Sequence, residues 1–462
     1  MKRRYANGFL IIAILFHGIM LWNLAGHFAW QSGFPPRWLP EKTGTPTPAH
    51  WSSSHRGIGP FRSRIDRNKE ALWIVKKKEM VSSRSLMAVP TRQTDNFGLD
   101  FLVRDANNTD PGGDFFQLVR SGLDVRNGTS IYENYPKDMD PTIKRLMDEA
   151  VPFHPPNRYP PAFAFTIGFF LSFLRPWSAY LLWIVIHELT LLFCIFYSAR
   201  LTEGNPVRFR VAAAMWLGFL PWYLELYMGQ TTFIIMAATL VLGMYLDGRA
   251  GGLHSGIWWT LSLITKPITL LFTPILIRKR RFALLLSGVM IAVGSAAAYF
   301  AVRPDDGRLF LRWMSGEEMV YSLGNHGLQA LLFRFHMNEQ MPLIIAVVLV
   351  SVGLLRTFAQ WKMHGIRLIS LWVSIYFLAY THVWEHHQVL LLPAVILPWL
   401  FTGKKRYLIP WVLAAAPSPF FIFNGHWNWT REVIYLACAT LPPLILFLDT
   451  LIAGQVRALP GE

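Results

Sequence analysis

From residue 160 onward the chain alternates long apolar runs with short polar breaks. The runs are 160–174, 176–198, 209–227, 230–247, 253–277, 282–301, 341–359, 366–382, 387–402, 407–423 and 432–453. Apolar stretches of roughly 17–25 residues are long enough to cross a bilayer as α-helices. A further run opens the chain, "MKRRYANGFLIIAILFHGIMLW", with a basic flank before the apolar residues. No small-residue cleavage site follows it, so it reads as a retained signal-anchor helix with its basic flank in the cytoplasm.

One long interruption, 31–157, separates this first span from the rest. Residues 31–100 are basic and irregular, relieved by a short apolar run, "ALWIV" (71–75). Residues 101–157 carry more pattern. After "GGD" (112–114), Phe115, Val119 and Leu123 recur at helical spacing until "RNGTSIYENYP" (126–136) breaks it. A short amphipathic helix lying on the membrane surface is expected there.

The positions of Lys and Arg set the orientation. "WKMHGIR" (361–367) and "GKKRY" (403–407) fall inside, and 303–340, "HVWEHH" (382–387) and "NGHWNWTRE" (424–432) fall outside. Counting forward from the first span gives the opposite parity near 200–250. One segment between 160 and 277 is therefore expected to be re-entrant or a pair of short helices. The best choice is 253–277, interrupted at "TKP" (265–267), where proline breaks the helix. The expected organisation is a signal-anchor helix at 1–30, an outer-loop insertion at 31–100, and an outer loop with the amphipathic helix at 101–157. A first half-bundle at 158–302, a second outer loop at 303–340 and a second half-bundle at 341–462 follow.

Composition agrees. The chain is 53% hydrophobic and only 16% charged, whereas soluble domains carry about 25% charge, so this is a polytopic membrane protein. The net charge of +16 gathers in loops such as "IRKRR" (277–281) and implies no nucleic-acid partner. The two cysteines, Cys194 and Cys438, lie in apolar runs and read as packing residues rather than a disulfide. Asn107, Asn127 and Asn428 start Asn-x-Ser/Thr matches, which matter only where secreted proteins are glycosylated.

Polar residues against a membrane domain are costly, and each is a candidate functional position. The outside-facing loops and span ends hold Asp114, Arg120, Arg158, Tyr159, Asn325, His326, Glu385, His386 and His387. Gln230 in "GQTTF" and Lys266 in "TKP" interrupt apolar runs. Asp114 fits two roles at once. Asp is a favoured N-cap with Gln117 at the capping-box position, and a carboxylate there can also act as a general base. Arg158 and Tyr159 fit an interface anchor, Lys266 either a helix-end cap or a phosphate clamp, and "NHG" (325–327) a turn. The stretch "HVWEHH" (382–387) packs three histidines and one glutamate into six residues but lacks H-E-x-x-H or a cysteine partner. Phosphate or sugar recognition suits it better than a metal.

Taken in order, these pieces resemble one family. "DF" follows the first helix, "IY" lies downstream, and "YPP" opens the next span. Then come "GQ", "KP" with "RKRR" after it, "NHGL", and a late "WEHH" before "LLLP". This is similar to the polyprenol-phosphate-mannose-dependent α-mannosyltransferases, glycosyltransferase family 87, of the GT-C class, over roughly 100–400. The resemblance implies an all-α polytopic membrane protein of GT-C type, with about 11–13 transmembrane helices and a large first outer loop carrying short amphipathic helices. It implies an inverting hexosyltransferase of the cell envelope, facing the outer (periplasmic or extracytoplasmic) side of the cell membrane. The donor would be polyprenyl-phosphate-mannose and the acceptor a hydroxyl on a lipid or glycan. Asp114 would be the base. His386 or His387, with Arg158 or Lys266, would hold the donor phosphate, and Tyr159, Gln230, Asn325, His326 and Glu385 would line the substrate site. No cofactor or divalent metal is expected, the chain would act as a monomer or weak oligomer, and membrane lipids would surround it. Family members usually reach "DF" soon after the first helix, so 31–100 bears on acceptor choice. The rival readings are a secondary transporter or a lipid-linked sugar flippase. A transporter should carry internal hydropathy repeats, none of which is visible here, and it gives no reason for the large outer loop.

Overall fold

The structure is a computed structural model, and it describes residues 3–31, 112–133, 157–314, 327–329, 332, 340–360, 363–415 and 429–452. Nearly all of the expected insertion, together with Asn325 and His326, lies outside the described residues, as do the side chains of Glu385 and Cys438. The described chain is all-helical, and four of its helices are long and apolar enough to cross a membrane. It is an all-α polytopic membrane protein.

The helices follow the apolar runs, and prolines set many of their starts. In order they are α1 (Arg3–Gln31), α2 (Gly113–Asn127), α3 (Pro161–Leu171), α4 (Pro176–Ala199), α5 (Pro206–Leu217), α6 (Pro221–Met228), α7 (Thr232–Leu246) and α8 (Gly252–Thr265). After a 3₁₀ turn at Pro267–Phe272 come α9 (Thr273–Arg278), α10 (Phe282–Val302), α11 (Pro304–Met314), α12 (Gln340–Ala359) and α13 (Gly365–Ala379). A second 3₁₀ turn, Glu385–Leu390, leads into α14 (Leu391–Thr402), α15 (Leu408–Ala415) and α16 (Trp429–Ile452). Proline is tolerated in a first helical turn because no intrahelical partner awaits its missing N–H. It opens α3, α4, α5, α6 and α11. Asn205 caps α5, its side-chain oxygen accepting from Val207 N at 3.0 Å and Arg208 N at 3.1 Å.

The break at "TKP" is present: α8 ends at Thr265, Lys266 is extended, and a 3₁₀ turn follows. The run read as one span at 209–227 is also divided, between α5 and α6, where Pro221 restarts the helix. Helix α7 is the hub. Nearly all of it is buried, and it touches α4, α8, α13, α14 and the Glu385–Leu390 turn. By contrast, only 11% of the apolar window of α10 and of α12 is buried, against 44% for α4, so α10 and α12 are the peripheral helices.

Helix α1 packs on α5 and is tied deeper by a polar chain. Tyr223 Oη meets His17 Nδ1 at 2.5 Å, His17 Nε2 meets Glu188 Oε2 at 2.9 Å, and Trp222 Nε1 donates to Glu188 Oε1 at 3.1 Å. Polar side chains joining helices within apolar surroundings act as interhelical glue.

Helix α2 corrects an expectation. It does not lie on a surface with one face exposed. From Phe115 to Gly122 every residue is buried, polar Gln117, Arg120 and Ser121 included. The helix is set into the protein against α3, with α4 and α6 beside it. Its apolar spacing needed a partner, and α3 supplies one where the sequence pointed to lipid. Closeness is allowed by two glycines: a Cβ on Gly122 would stand 2.0 Å from the Gly168 carbonyl oxygen.

Candidate active site

Helix α2 enters the bundle through Gly112, whose φ of 78° is left-handed and suits glycine. The Gly112 N–H donates to the Tyr227 carbonyl at the end of α6, at 2.7 Å. This turn makes Gly112 the N-cap and places Asp114 inside the first helical turn. The sequence reading of Asp114 as the cap, with Gln117 completing a capping box, is therefore corrected. With the entry managed by glycine, the Asp114 carboxylate is free to point away from its own helix. Gln117 Nε2 instead approaches Asp114 Oδ1, at 3.5 Å.

The partner of Asp114 is Gln230. Its Nε2 donates to Asp114 Oδ2 at 2.5 Å, and its Oε1 accepts from Lys266 Nζ at 2.8 Å. Gln230 is held by its backbone. Trp183 Nε1 on α4 donates to the Gly229 carbonyl at 3.1 Å and to the Gln230 carbonyl at 3.2 Å. Tyr180 Oη on the same helix donates to the Leu226 carbonyl at 2.8 Å. Gly229 has a φ of 65°, and a Cβ there would lie 2.5 Å from Phe115 Cβ. The glycine of "GQ" thus lets α2 approach closely enough for Asp114 to meet Gln230. Lys266 arrives because the helix ends just before it: its extended backbone carries the side chain out of the α8 register.

Tyr159 and Arg158 complete this side. Tyr159 is buried, and Lys266 Nζ lies 5.8 Å from the centre of its ring. The Asn157 side chain and Tyr132 Oη both donate to the Tyr159 carbonyl, at 2.9 and 2.8 Å. Arg158 is exposed, and its charge acts on Asp114. Burial pushes the Asp114 carboxyl above its ordinary value, against the opposing pull of Arg158, Lys266 and the Gln230 hydrogen bond.

Arg120 serves α2 itself. It is buried, Nε donates to Asp124 Oδ2 at 3.2 Å, and its guanidinium also donates to the Glu133 carbonyl at 2.6 Å. His386 and His387 are buried on the Glu385–Leu390 turn, which packs on α6 and α7, the helices that flank Gln230. His387 Nδ1 meets Tyr376 Oη at 2.8 Å and lies 3.3 Å from the Trp384 N–H, and the two imidazole rings stand 4.4 Å apart.

One acid escaped the sequence reading. Glu225, in "PWYLELYMG", is fully buried, and its Oε1 accepts from the Phe233 N–H in the first turn of α7 at 2.8 Å. Its charge acts on Lys266 more strongly than that of Asp114 does. An acid within an apolar run was the available signal, since such residues are rare in membrane spans.

Residues 157–381 match the model of glycosyltransferase family 87. The matched segment contains Arg158, Tyr159, Glu225, Gln230 and Lys266. It begins after Asp114 and ends before His386. The all-helical architecture is in keeping with a GT-C-type fold. No curated protein and no solved structure matches the chain.

Proposed function

We propose that this family-87 glycosyltransferase moves a hexose, mannose by the family resemblance, from a polyprenyl-phosphate donor to a hydroxyl of a lipid or glycan acceptor on the outer face of the membrane, with inversion. Asp114 is the base. The acceptor oxygen attacks the anomeric carbon while Asp114 takes its proton. The bond from that carbon to the phosphate oxygen breaks, and polyprenyl phosphate leaves with the electron pair. Inversion follows because attack and departure use opposite faces of the sugar.

The observation that carries the reading is the setting of Asp114. Its Oδ2 is fixed by Gln230 at 2.5 Å, and burial raises its proton affinity. A base of raised pKa accepts a proton more strongly in the transition state, and a fixed carboxylate loses little entropy in doing so. The departing phosphate needs positive charge or hydrogen-bond donors. Arg158, exposed and electrostatically linked to Asp114, is one such group, and the His386–His387 pair is the other. A lipid-linked donor also accounts for an enzyme built into the bilayer, since a prenyl chain needs an apolar groove. Placing this site outside puts the N-terminus in the cytoplasm.

The test compares wild type and Asp114→Asn in nanodiscs, with radiolabelled polyprenyl-phosphate-mannose and a total lipid and glycan extract as acceptors. Wild type is expected to transfer label, and the variant to lose on the order of 10²–10⁴ in rate while keeping its melting temperature. Undiminished transfer by Asp114→Asn would remove the base assignment. Transfer only from a different lipid-linked sugar would replace mannose. Accumulation of the lipid inside sealed vesicles without any sugar transfer would favour the flippase.

A further inference from the structure

Asp114 is the end of a longer arrangement. A lysine ammonium has three donors and no acceptor, so the Gln230 atom facing Lys266 has to be the carbonyl oxygen. That choice turns the Gln230 amino group toward Asp114. The observed distances fit this polarity, 2.8 Å from Lys266 Nζ to Gln230 Oε1 and 2.5 Å from Gln230 Nε2 to Asp114 Oδ2. Were Lys266 neutral, its nitrogen could accept. The amide would then be free to reverse and present its oxygen to the carboxylate, and Asp114 would lose its short hydrogen bond from Gln230.

A buried acid also acts on Lys266. Glu225 is fully buried and anchored to the Phe233 N–H, so it cannot turn out to water. It is the acid acting most strongly on Lys266. An ammonium in an apolar bundle is expensive without such a counter-charge. The hydrogen-bonded chain therefore runs from Lys266 through Gln230 to Asp114, with the reacting carboxylate at one end, and Glu225 acts on Lys266 from the other by its charge.

We infer that Glu225 and Lys266 are positioning residues for Asp114, acting through Gln230, and that Lys266 serves the base rather than the donor phosphate. This rests on the reading of Asp114 as base. Its consequence is a division of labour: Arg158 and the histidine pair face the phosphate, and Lys266 faces away from it. Oδ2 of Asp114 is committed to Gln230 at 2.5 Å, and Oδ1, whose contact with Gln117 is longer at 3.5 Å, is the atom that receives the acceptor proton.

The experiment uses the full chain in nanodiscs, with Glu225→Gln, Lys266→Met, Lys266→Arg and the double variant Glu225→Gln/Lys266→Met. The double variant removes both buried charges together, so it avoids leaving one unpaired if a single variant fails to fold. The first readout is the Asp114 carboxyl titration by isotope-edited infrared difference spectroscopy against Asp114→Asn, which needs no donor. Lys266→Met is expected to raise that pKa, because Lys266 pulls it down in the wild type. Lys266→Arg is expected to keep it near the wild-type value. The second readout is kinetic. Lys266→Met should lower kcat by about 10–100-fold, as small misplacements of a reacting group do, with the donor KM within about twofold. The double variant should lose no more than Lys266→Met, since the residues act in series.

An unmoved Asp114 titration in Lys266→Met would overturn the inference. So would a donor KM raised about tenfold or more at unchanged kcat, which is the signature of a phosphate clamp. A fall in melting temperature with titration and kcat unchanged would reduce Glu225 and Lys266 to structural support. If wild type transfers no sugar while the infrared shift appears, the proposed donor fails and the positioning chain stands.

Discussion

Asp114 shows how one carboxylate acquires a role from its position in a helix turn. Burial raises its pKa from the ordinary 3.8, so the folded protein binds this proton more tightly. A base must be ionised, and the active fraction therefore falls as pH drops through that raised value. The acid limb of kcat/KM should lie above the ordinary carboxylate range, and it should be absent from the residual activity of Asp114→Asn; a limb near 3.8 would contradict the burial. Gly229 is the matching backbone residue. Alanine there meets a left-handed φ of 65° and a Cβ contact of 2.5 Å with Phe115. Gly229→Ala is expected to cost about 1–3 kcal/mol and to separate Asp114 from Gln230, read as a lowered melting temperature together with lost transfer. Asp114, Gln230 and Lys266 were legible in the sequence as polar residues at apolar edges. The glycine cap that frees Asp114 was not, because Asp and Gly are both good N-caps and only the backbone path chooses between them.

Elements are placed by what they bury. The apolar spacing of α2 announced a helix, but spacing alone does not say whether lipid or protein covers the apolar face. Glycines at the contact decide it: Gly122 and Gly168 let α2 and α3 touch backbone to backbone. Gly122→Val should keep α2 from seating and abolish transfer, whereas Gly128→Ala, where added bulk meets open space, should cost only its left-handed φ of 66°. Differential proteolysis of the two variants would check this. Helix α1 is held by His17, Glu188 and Tyr223 as well as by packing. His17→Leu is expected to lose about 0.6–1.7 kcal/mol of that docking, in the range of interhelical hydrogen bonds in membranes. A melting temperature equal to wild type would show that the chain contributes nothing.

At the scale of the whole molecule, a second polar cluster joins distant parts of the chain. Ser130, just after α2, and Tyr299 on α10 both donate to Asp306 on α11, and Arg303 donates to the Gly128 carbonyl. Asp124, beside Arg120 and Thr129, is pushed up by burial to about 6. The folded state therefore holds this proton more tightly than the unfolded chain, whose carboxyl titrates near 3.8. Folded-state stability from this group is present at low pH and is lost as pH rises from about 4 through about 6. The melting temperature should decline across that window in wild type, and Asp124→Asn should flatten the decline. A wild-type profile that rises instead would place the controlling group elsewhere.

By itself the sequence determined the class of the molecule. Runs of apolar residues must be covered by lipid or by one another, and a helix satisfies its own backbone in either case. Proline positions determined many helix starts and the break at Lys266, because a missing N–H and a fixed φ are properties of one residue. Tertiary structure alone decided that α2 is buried, that Asp114 meets Gln230, and that Gln230 meets Lys266. Those are contacts between residues far apart in the chain, and around α2 they are made where glycines let backbones approach. Local spacing carries no record of which distant backbone will arrive.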